Sequence, residues 1–317
     1  MQRGPAEPSG GLFKKNKRYY SPTIPPSFSY ENDTRSYHKG GSYNVKLLDL
    51  KKIKNNLKRK KIMDKDILKN AEKETGWLSI FRTIAYVGDS LSSGELVSVD
   101  KNGNYEYNDY FEYSWGQYIA RKYGNTAYNF SRGGMTAKEY LESFGDRMRY
   151  FRPELAAQAY FFALGENDLF GRKQEPGTVD DFDEDGVAPL RDTFAGWFGT
   201  LLMRYKNLQP RAKFFLVAMP DRYDDDEFHA GLRKRHHELM YEIAAKVGSA
   251  YVIDLYEYAP LYDEEFFRRH MMNGHLTPSG YLLSAEFISR LADAIIDENM
   301  ADFREVGFIG TSLVEKR

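Results

Sequence analysis

Four residues of this 317-residue chain have side chains or backbones suited to acyl transfer: Ser90, Gly134, Asn167 and His275. A serine hydroxyl becomes a nucleophile when a neighbouring base removes its proton, and histidine titrates nearest neutral pH. The tetrahedral oxyanion that follows needs uncharged donors aimed at it. Glycine lets a backbone N–H approach closely, and an asparagine amide donates without adding charge. Ser90 stands at the end of Thr83-Ile-Ala-Tyr-Val-Gly-Asp-Ser90, an apolar run that stops on Gly88-Asp89. Such a run reads as a strand buried on both faces, and open α/β sheets place their ligands at the carboxyl ends of such strands. Gly-Asp-Ser by itself is also ordinary turn chemistry.

Two later segments repeat the pattern. The run from Thr126 to Phe130 ends in Ser131-Arg132-Gly133-Gly134-Met135-Thr136, and the run from Ala159 to Leu164 ends in Gly165-Glu166-Asn167-Asp168. If the strands are parallel, Ser90, Gly134 and Asn167 emerge on one edge of one sheet. His275 lies in Asn273-Gly274-His275-Leu276-Thr277-Pro278-Ser279-Gly280-Tyr281, just before a helical pattern from about Pro278 to Ile296. Of the other histidines, His38 sits in a polar leader, His229, His236 and His237 in a charged helical pattern, and His270 after two arginines. His275 alone occupies a glycine-flanked position at the entrance to the last helix, so it is the expected base.

On these residues the segment from about Thr83 to Ile296 resembles the SGNH (GDSL) family of serine hydrolases. Gly-Asp-Ser90-Leu-Ser matches its nucleophile block and Gly134 its glycine block. Asn167 in Gly-Glu-Asn-Asp matches its asparagine block, and His275 in His-Leu-Thr-Pro-Ser-Gly-Tyr its histidine block. The resemblance implies that Ser90 attacks the ester carbonyl and His275 shuttles the proton. It further implies an oxyanion hole made by the Ser90 and Gly134 N–H groups and the Asn167 side chain, with no cofactor and no metal. It also implies a flavodoxin-like strand order, 2-1-3-4-5.

One position departs from the family. An aspartate usually stands three residues before the histidine, and here that residue is Met272. The acid of a triad fixes the imidazole tautomer and stabilises the imidazolium, and its loss can cost about ten-thousand-fold. Methionine does neither. Three arrangements stay open: a backbone carbonyl orients His275, a carboxylate arrives from elsewhere (Asp254, Asp263, Glu264 or Glu265), or turnover is weak or lost. Asp254, at the end of a strand-like run, fits a helix cap better than a triad. The expectation is therefore a Ser90–His275 dyad with its third member open.

Other chemistries find less support. No Gly-x-Ser-x-Gly elbow occurs, and no Gly-x-Gly-x-x-Gly follows the first strand. Asp89 and Asp168 are read as loop-holding carboxylates, because an inward charge there would oppose an oxyanion. Asp181-Phe-Asp-Glu-Asp-Gly186, with Asp192 at the twelfth place, has the spacing of a calcium loop but departs from it at Ala188, Pro189 and Asp192. A solvated acidic loop capping the next helix is the stronger reading.

The elements that must position these residues are those of an α/β protein: a three-layer, doubly wound, parallel five-stranded sheet. Strands are expected at 83–88, 126–130, 159–164, 213–219 and 250–254. Helices are expected at 113–123, 136–150, 190–206, 227–247 and 278–296, and alternation with the strands implies right-handed crossovers. The apolar content of 42% supports a sizeable core. No stretch reaches the roughly 18 consecutive apolar residues of a membrane helix. The absence of cysteine excludes disulfides and thiol catalysis. The start lacks the apolar core of a secretory signal, which makes a cytoplasmic location the default expectation.

Charge divides the chain. Residues 1–80 carry 18 Lys and Arg against 8 Asp and Glu, and the remainder 27 against 38. Residues 1–80 read as a basic extension and 81–317 as the hydrolase domain. Within the extension, 1–44 is expected to be extended or disordered and 45–74 an amphipathic helix striped by Leu47, Leu50, Ile53 and Leu57. Docking of that helix on the acidic domain is preferred to nucleic acid or lipid as its partner. The expected substrate is a carboxylic ester bearing a small acyl group on a carbohydrate or lipid-like alcohol. Tyr105, Tyr107, Tyr110, Phe111, Tyr113 and Trp115 are candidate wall residues or core, and the Ser92-Ser93-Gly94 turn suggests an open cleft. The alternative function is an SGNH-fold ligand-binding protein that has lost turnover.

Overall fold

The computed structural model describes residues 76–259 and 262–311. The expected leader and the amphipathic segment at 45–74 lie outside these residues. At the sheet's centre is β1 (Thr83–Gly88), flanked by β4 (Thr126–Ser131) and β5 (Ala159–Ala163); β6 (Lys213–Ala218) and β7 (Ala250–Asp254) continue outward from β5. All pairs are parallel, in the order β4-β1-β5-β6-β7. This is the 2-1-3-4-5 order when the five strands are counted along the chain.

Side chains alternate along each strand, and both sets are buried, which explains why the strands read as continuous apolar runs. Ala85, Val87, Tyr160, Phe162, Phe214 and Leu216 join one core layer, while Ile84, Tyr86, Phe161, Phe215 and Val217 join the other. The helices that supply the opposing sides are α2 (Trp115–Tyr123), α3 (Ala137–Glu139, continuing as a π turn and then Gly145–Arg147), α4 (Phe194–Leu208), α5 (Glu227–Val247) and α8 (Pro278–Glu298). Packing extends back to a 3-10 turn at Trp77–Ile80, where Leu78 is wholly buried and its N–H donates to Asp293 at 2.8 Å. Among the described residues, no helix is long and apolar enough to cross a membrane.

The register sets the site. Gly88 at the end of β1 pairs with Ser131 of β4 and Ala163 of β5, so all three strands finish at one level. The segments that follow them, carrying Ser90, Gly134 and Asn167, leave the sheet side by side.

Two hairpins were not foreseen. From Gly94 the chain enters β2 (Glu95–Val99), reverses through Asp100–Asn104, and returns as β3 (Tyr105–Asp109). Asp100 holds the reversal by accepting the Asn102 and Asn104 N–H groups at 2.8 and 2.9 Å. The second hairpin pairs β8 (Met271–Met272) with β9 (His275–Leu276) across Asn273-Gly274.

Candidate active site

Asp89 bridges strand and nucleophile. Its carboxylate accepts the Leu91 N–H at 3.0 Å and so caps α1 (Ser90–Ser93), a single turn closed by Gly94 at φ +78°. The turn folds so tightly that a Cβ on Gly88 would meet the Ser92 hydroxyl at 2.3 Å. Ser90 is 8% exposed, and its hydroxyl has no hydrogen-bond partner among the described residues. Tyr281, in the first turn of α8, places its buried hydroxyl 3.1 Å from the Ser90 carbonyl and 2.9 Å from the Glu95 carbonyl. The helix that follows His275 thus holds the backbone of the nucleophile turn and the start of β2 together.

Gly134 adopts φ +70°, a conformation that favours glycine, and a Cβ there would meet nothing within 4 Å. Its requirement is therefore backbone freedom beside open space. Asn167 sits across from it: the amide nitrogen donates to Asp89 Oδ2 and to the Met135 carbonyl, both at a stretched 3.3 Å. Burial, reinforced by Glu166 and Asp168 nearby, pushes the Asp89 carboxyl up to about 8. Burial likewise pushes Asp168 up to about 7, against the opposing hydrogen bond from the Ala137 N–H at 2.8 Å. Both carboxyls hold loops, as expected, and burial favours the neutral form of each, which lessens the negative charge that would oppose an oxyanion.

The Asn167 loop is buttressed from α5. His236 is wholly buried; its Nε2 meets the Leu164 carbonyl at 3.1 Å, its Nδ1 meets the Met219 N–H at 3.4 Å, and burial pushes it down to about 4. Arg233, also buried, pairs with Asp225 and reaches Glu166 at 3.0 Å. The charged pattern of that helix concealed these inward residues.

His275 is presented by the β8–β9 hairpin. Asn273 at φ +46° and Gly274 at φ +81° make the two-residue turn that Asn-Gly favours. Met272 is then the cross-strand partner of His275, and no carboxylate occupies that position. The Asn273 carbonyl lies 3.3 Å from Nδ1. Nε2 lies 2.9 Å from Glu95 Oε1, without the alignment of a hydrogen bond. The Tyr107 ring stands edge-on to the imidazole at 5.5 Å, and its hydroxyl takes a hydrogen bond from the Asn273 amide. Helix α1 and strand β9 pack against one another, which brings Ser90 and His275 into one region; no hydrogen bond joins their side chains.

Of the four acids considered from sequence as the third member, three have other partners. Asp254 caps α6 (Leu255–Tyr258) and also meets His237 Nε2 at 2.9 Å and the Tyr241 hydroxyl at 2.8 Å. Asp263 caps α7 (Glu264–His270). Glu264 lies in the first turn of that helix, and Glu265 pairs with Arg268 and Arg269. Beside the imidazole stand instead the Asn273 carbonyl, at Nδ1, and a carboxylate not among those acids, Glu95, at Nε2.

Sequence reasoning missed Glu95. The signal was present in the alternation of Glu95-Leu-Val-Ser-Val99 and Tyr105-Glu-Tyr-Asn-Asp109 around an Asn-Gly reversal. Of the aromatic candidates, Trp115 is core, packed on Tyr86, while Tyr105, Tyr107, Tyr110 and Tyr113 are exposed.

The acidic loop has local partners. Asp181 is buried and accepts the Thr178 N–H and the Thr193 hydroxyl, Asp183 and Asp185 cap local turns, and Asp192 meets Lys138, Trp197 and Gln174. Among the described residues, no three His, Asp or Glu side chains are grouped to hold a metal ion.

Several solved structures resemble this one. A crystal structure 23% identical has a TM-score of 0.50 and covers 69% of this chain and 98% of its own. A carbohydrate esterase family 2 enzyme with a carbohydrate-binding domain, from Corynascus thermopiles (Myceliophthora fergusii), is 15% identical with a TM-score of 0.49, covering 68% of this chain and 66% of its own. The psychrotrophic esterase EstA from Pseudoalteromonas sp. is 14% identical with a TM-score of 0.43, covering 68% and 99%. No curated protein matches the chain. The model of the GDSL-like lipase/acylhydrolase family matches residues 84–288, a span that begins inside β1 and ends within α8 and so takes in all four blocks. The chain belongs to the GDSL-like lipase/acylhydrolase family, whose members are serine hydrolases acting on ester bonds.

Proposed function

We propose that this chain hydrolyses a carboxylic ester through an acyl-enzyme on Ser90, with His275 as the base. The observation that carries this reading is an unpartnered serine hydroxyl on a turn packed directly against the histidine strand. His275 Nε2 takes the Ser90 proton as Oγ bonds to the carbonyl carbon. The oxyanion is held by the Ser90 and Gly134 N–H groups and by Asn167, whose long bonds to Asp89 and Met135 leave its amide able to turn toward a stronger acceptor. On collapse the carbon–alkoxy bond breaks and the alcohol leaves with the proton from His275. Water repeats the sequence to free the acid.

A small acyl group on a larger alcohol fits best. The apolar cavity beside α1, lined by Leu91, Trp115, Val217 and Ile288, measures about 90 Å³. Tyr105, Tyr107 and Asp109 share one face of β3, and Tyr107 and Asp109 of that face meet the site, so the hairpin offers an aromatic wall to a sugar alcohol. Chain-length series of p-nitrophenyl esters test this: acetate should be cleaved faster than octanoate, and Ser90→Ala should abolish both. Activity that survives Ser90→Ala discards the mechanism. A second reading, a ligand-binding protein without turnover, draws on Met272 and on the placement of Glu95 at the base; it predicts no cleavage by either form.

A further inference from the structure

The aspartate of a Ser-His-Asp triad has two tasks: it orients the ring through Nδ1 and it stabilises the positive charge the ring acquires. Here the Asn273 carbonyl at 3.3 Å from Nδ1 can do only the first. A negative charge does stand beside the ring, on the opposite nitrogen: Glu95 Oε1, 2.9 Å from Nε2. This contact lacks the alignment of a hydrogen bond.

The surroundings of Glu95 are arranged at a cost to the fold. In the β2–β3 register Glu95 stands directly opposite Asp109, a like-charge pair that destabilises a hairpin. Both carboxylates nevertheless turn to the site: Asp109 accepts from the Ser93 hydroxyl and meets the Gly133 N–H at 3.5 Å, while Glu95 takes His275. Glu95 is half-buried; that burial raises its carboxyl, as does Asp109, while the His275 charge lowers it. Gly133 makes the room, since a Cβ there would fall 2.0 Å from Glu95 Oε2. The Tyr281 hydroxyl on the Glu95 carbonyl fixes the start of the strand, and Tyr107 closes the outer side of the imidazole.

We propose that Glu95 is a positioning residue of the reaction, supplying from the β2–β3 hairpin the charge stabilisation of His275 that the missing triad aspartate would give, while Asn273 supplies the orientation. The proposal rests on the reading of Ser90 as nucleophile and His275 as base. When Nε2 takes the Ser90 proton, the imidazolium forms beside a carboxylate already in place, and it gives the same proton to the leaving alkoxide.

The test is the rate of Ser90 modification by a fluorophosphonate, followed across pH 5 to 9 on the full chain. An opposite charge beside a titrating group shifts its titration by about one to three pH units. Glu95→Gln should therefore move the acid limb of the profile down by about one pH unit and lower the plateau about tenfold. Glu95→Asp, which keeps the charge on a shorter arm, should fall between. Gly133→Ala, which displaces the carboxylate while leaving it in the protein, should shift the limb in the same direction as Glu95→Gln. An acid limb for Glu95→Gln that superimposes on that of the wild type, whatever its plateau, overturns the proposal while leaving Ser90 and His275 in their roles. A wild-type chain not modified at Ser90 removes the underlying reading, and the proposal with it.

Discussion

Asp168→Asn should make the fold more stable at neutral pH and leave it nearly unchanged in mild acid. Asp168 is wholly buried; one oxygen accepts the Ala137 N–H at 2.8 Å and the other has no partner. Burial holds its folded-state value at about 7, against 3.8 for the free side chain. Between those two values the folded protein keeps a proton that the unfolded chain has released. Stability contributed by the neutral carboxyl is therefore whole below about pH 4, declines by about 1.4 kcal/mol per pH unit, and levels off above about pH 7. The difference between wild type and variant should grow to the order of 4 kcal/mol across that window. Asparagine copies the protonated acid: it keeps the acceptor for Ala137 and never ionises. His236 titrates with the opposite sign and cancels in the difference, whereas Asp89 titrates with the same sign and is itself raised by the Asp168 charge, so its change in the variant adds to the gap. Urea unfolding at pH 4.5, 6.0 and 7.5 measures it. A gap that stays constant across the three pH values refutes the reasoning.

Arg233→Met should destabilise by about 3 kcal/mol, because buried Asp225 loses its close cation and keeps only Arg222 at 4.0 Å; chemical denaturation reads this, and a loss below 1 kcal/mol contradicts it. Gly165→Ala combines φ +135° with a Cβ 2.7 Å from His236 Nε2. It should cost about 2 kcal/mol or more, a fall in Tm of about 4–8 °C by calorimetry. Asn167→Ala should reduce kcat on p-nitrophenyl acetate by about 100- to 1,000-fold with little change in KM. A drop of less than tenfold confines the amide to holding Asp89 and Met135.

The five strands were legible because each is buried on both faces, so that Phe214-Phe-Leu216 and Tyr160-Phe-Phe162 read as continuous apolar runs between turn signals; their order came from the family resemblance. The four blocks were legible for a related reason: the strands that carry Ser90, Gly134 and Asn167 end in register, so position along the chain translates directly into position at the sheet edge. The β2–β3 hairpin was hidden because its exposed, tyrosine-rich strands lack that apolar signature. Its consequence, Glu95 at the imidazole, depends on a cross-strand register that no single motif encodes. His236 was obscured in a different way: its helix reads as charged, and only the packing of α5 on the sheet selects which positions face inward.

The central claim is that Ser90 is made nucleophilic by His275. Intact-mass analysis after fluorophosphonate treatment, with peptide mapping, tests it without knowledge of the substrate. The account predicts one adduct per chain, located on Ser90, formed at least 100-fold more slowly in His275→Ala, about the least that loss of a general base should cost. An adduct on another serine, or a His275→Ala chain labelled as fast as wild type, would contradict it.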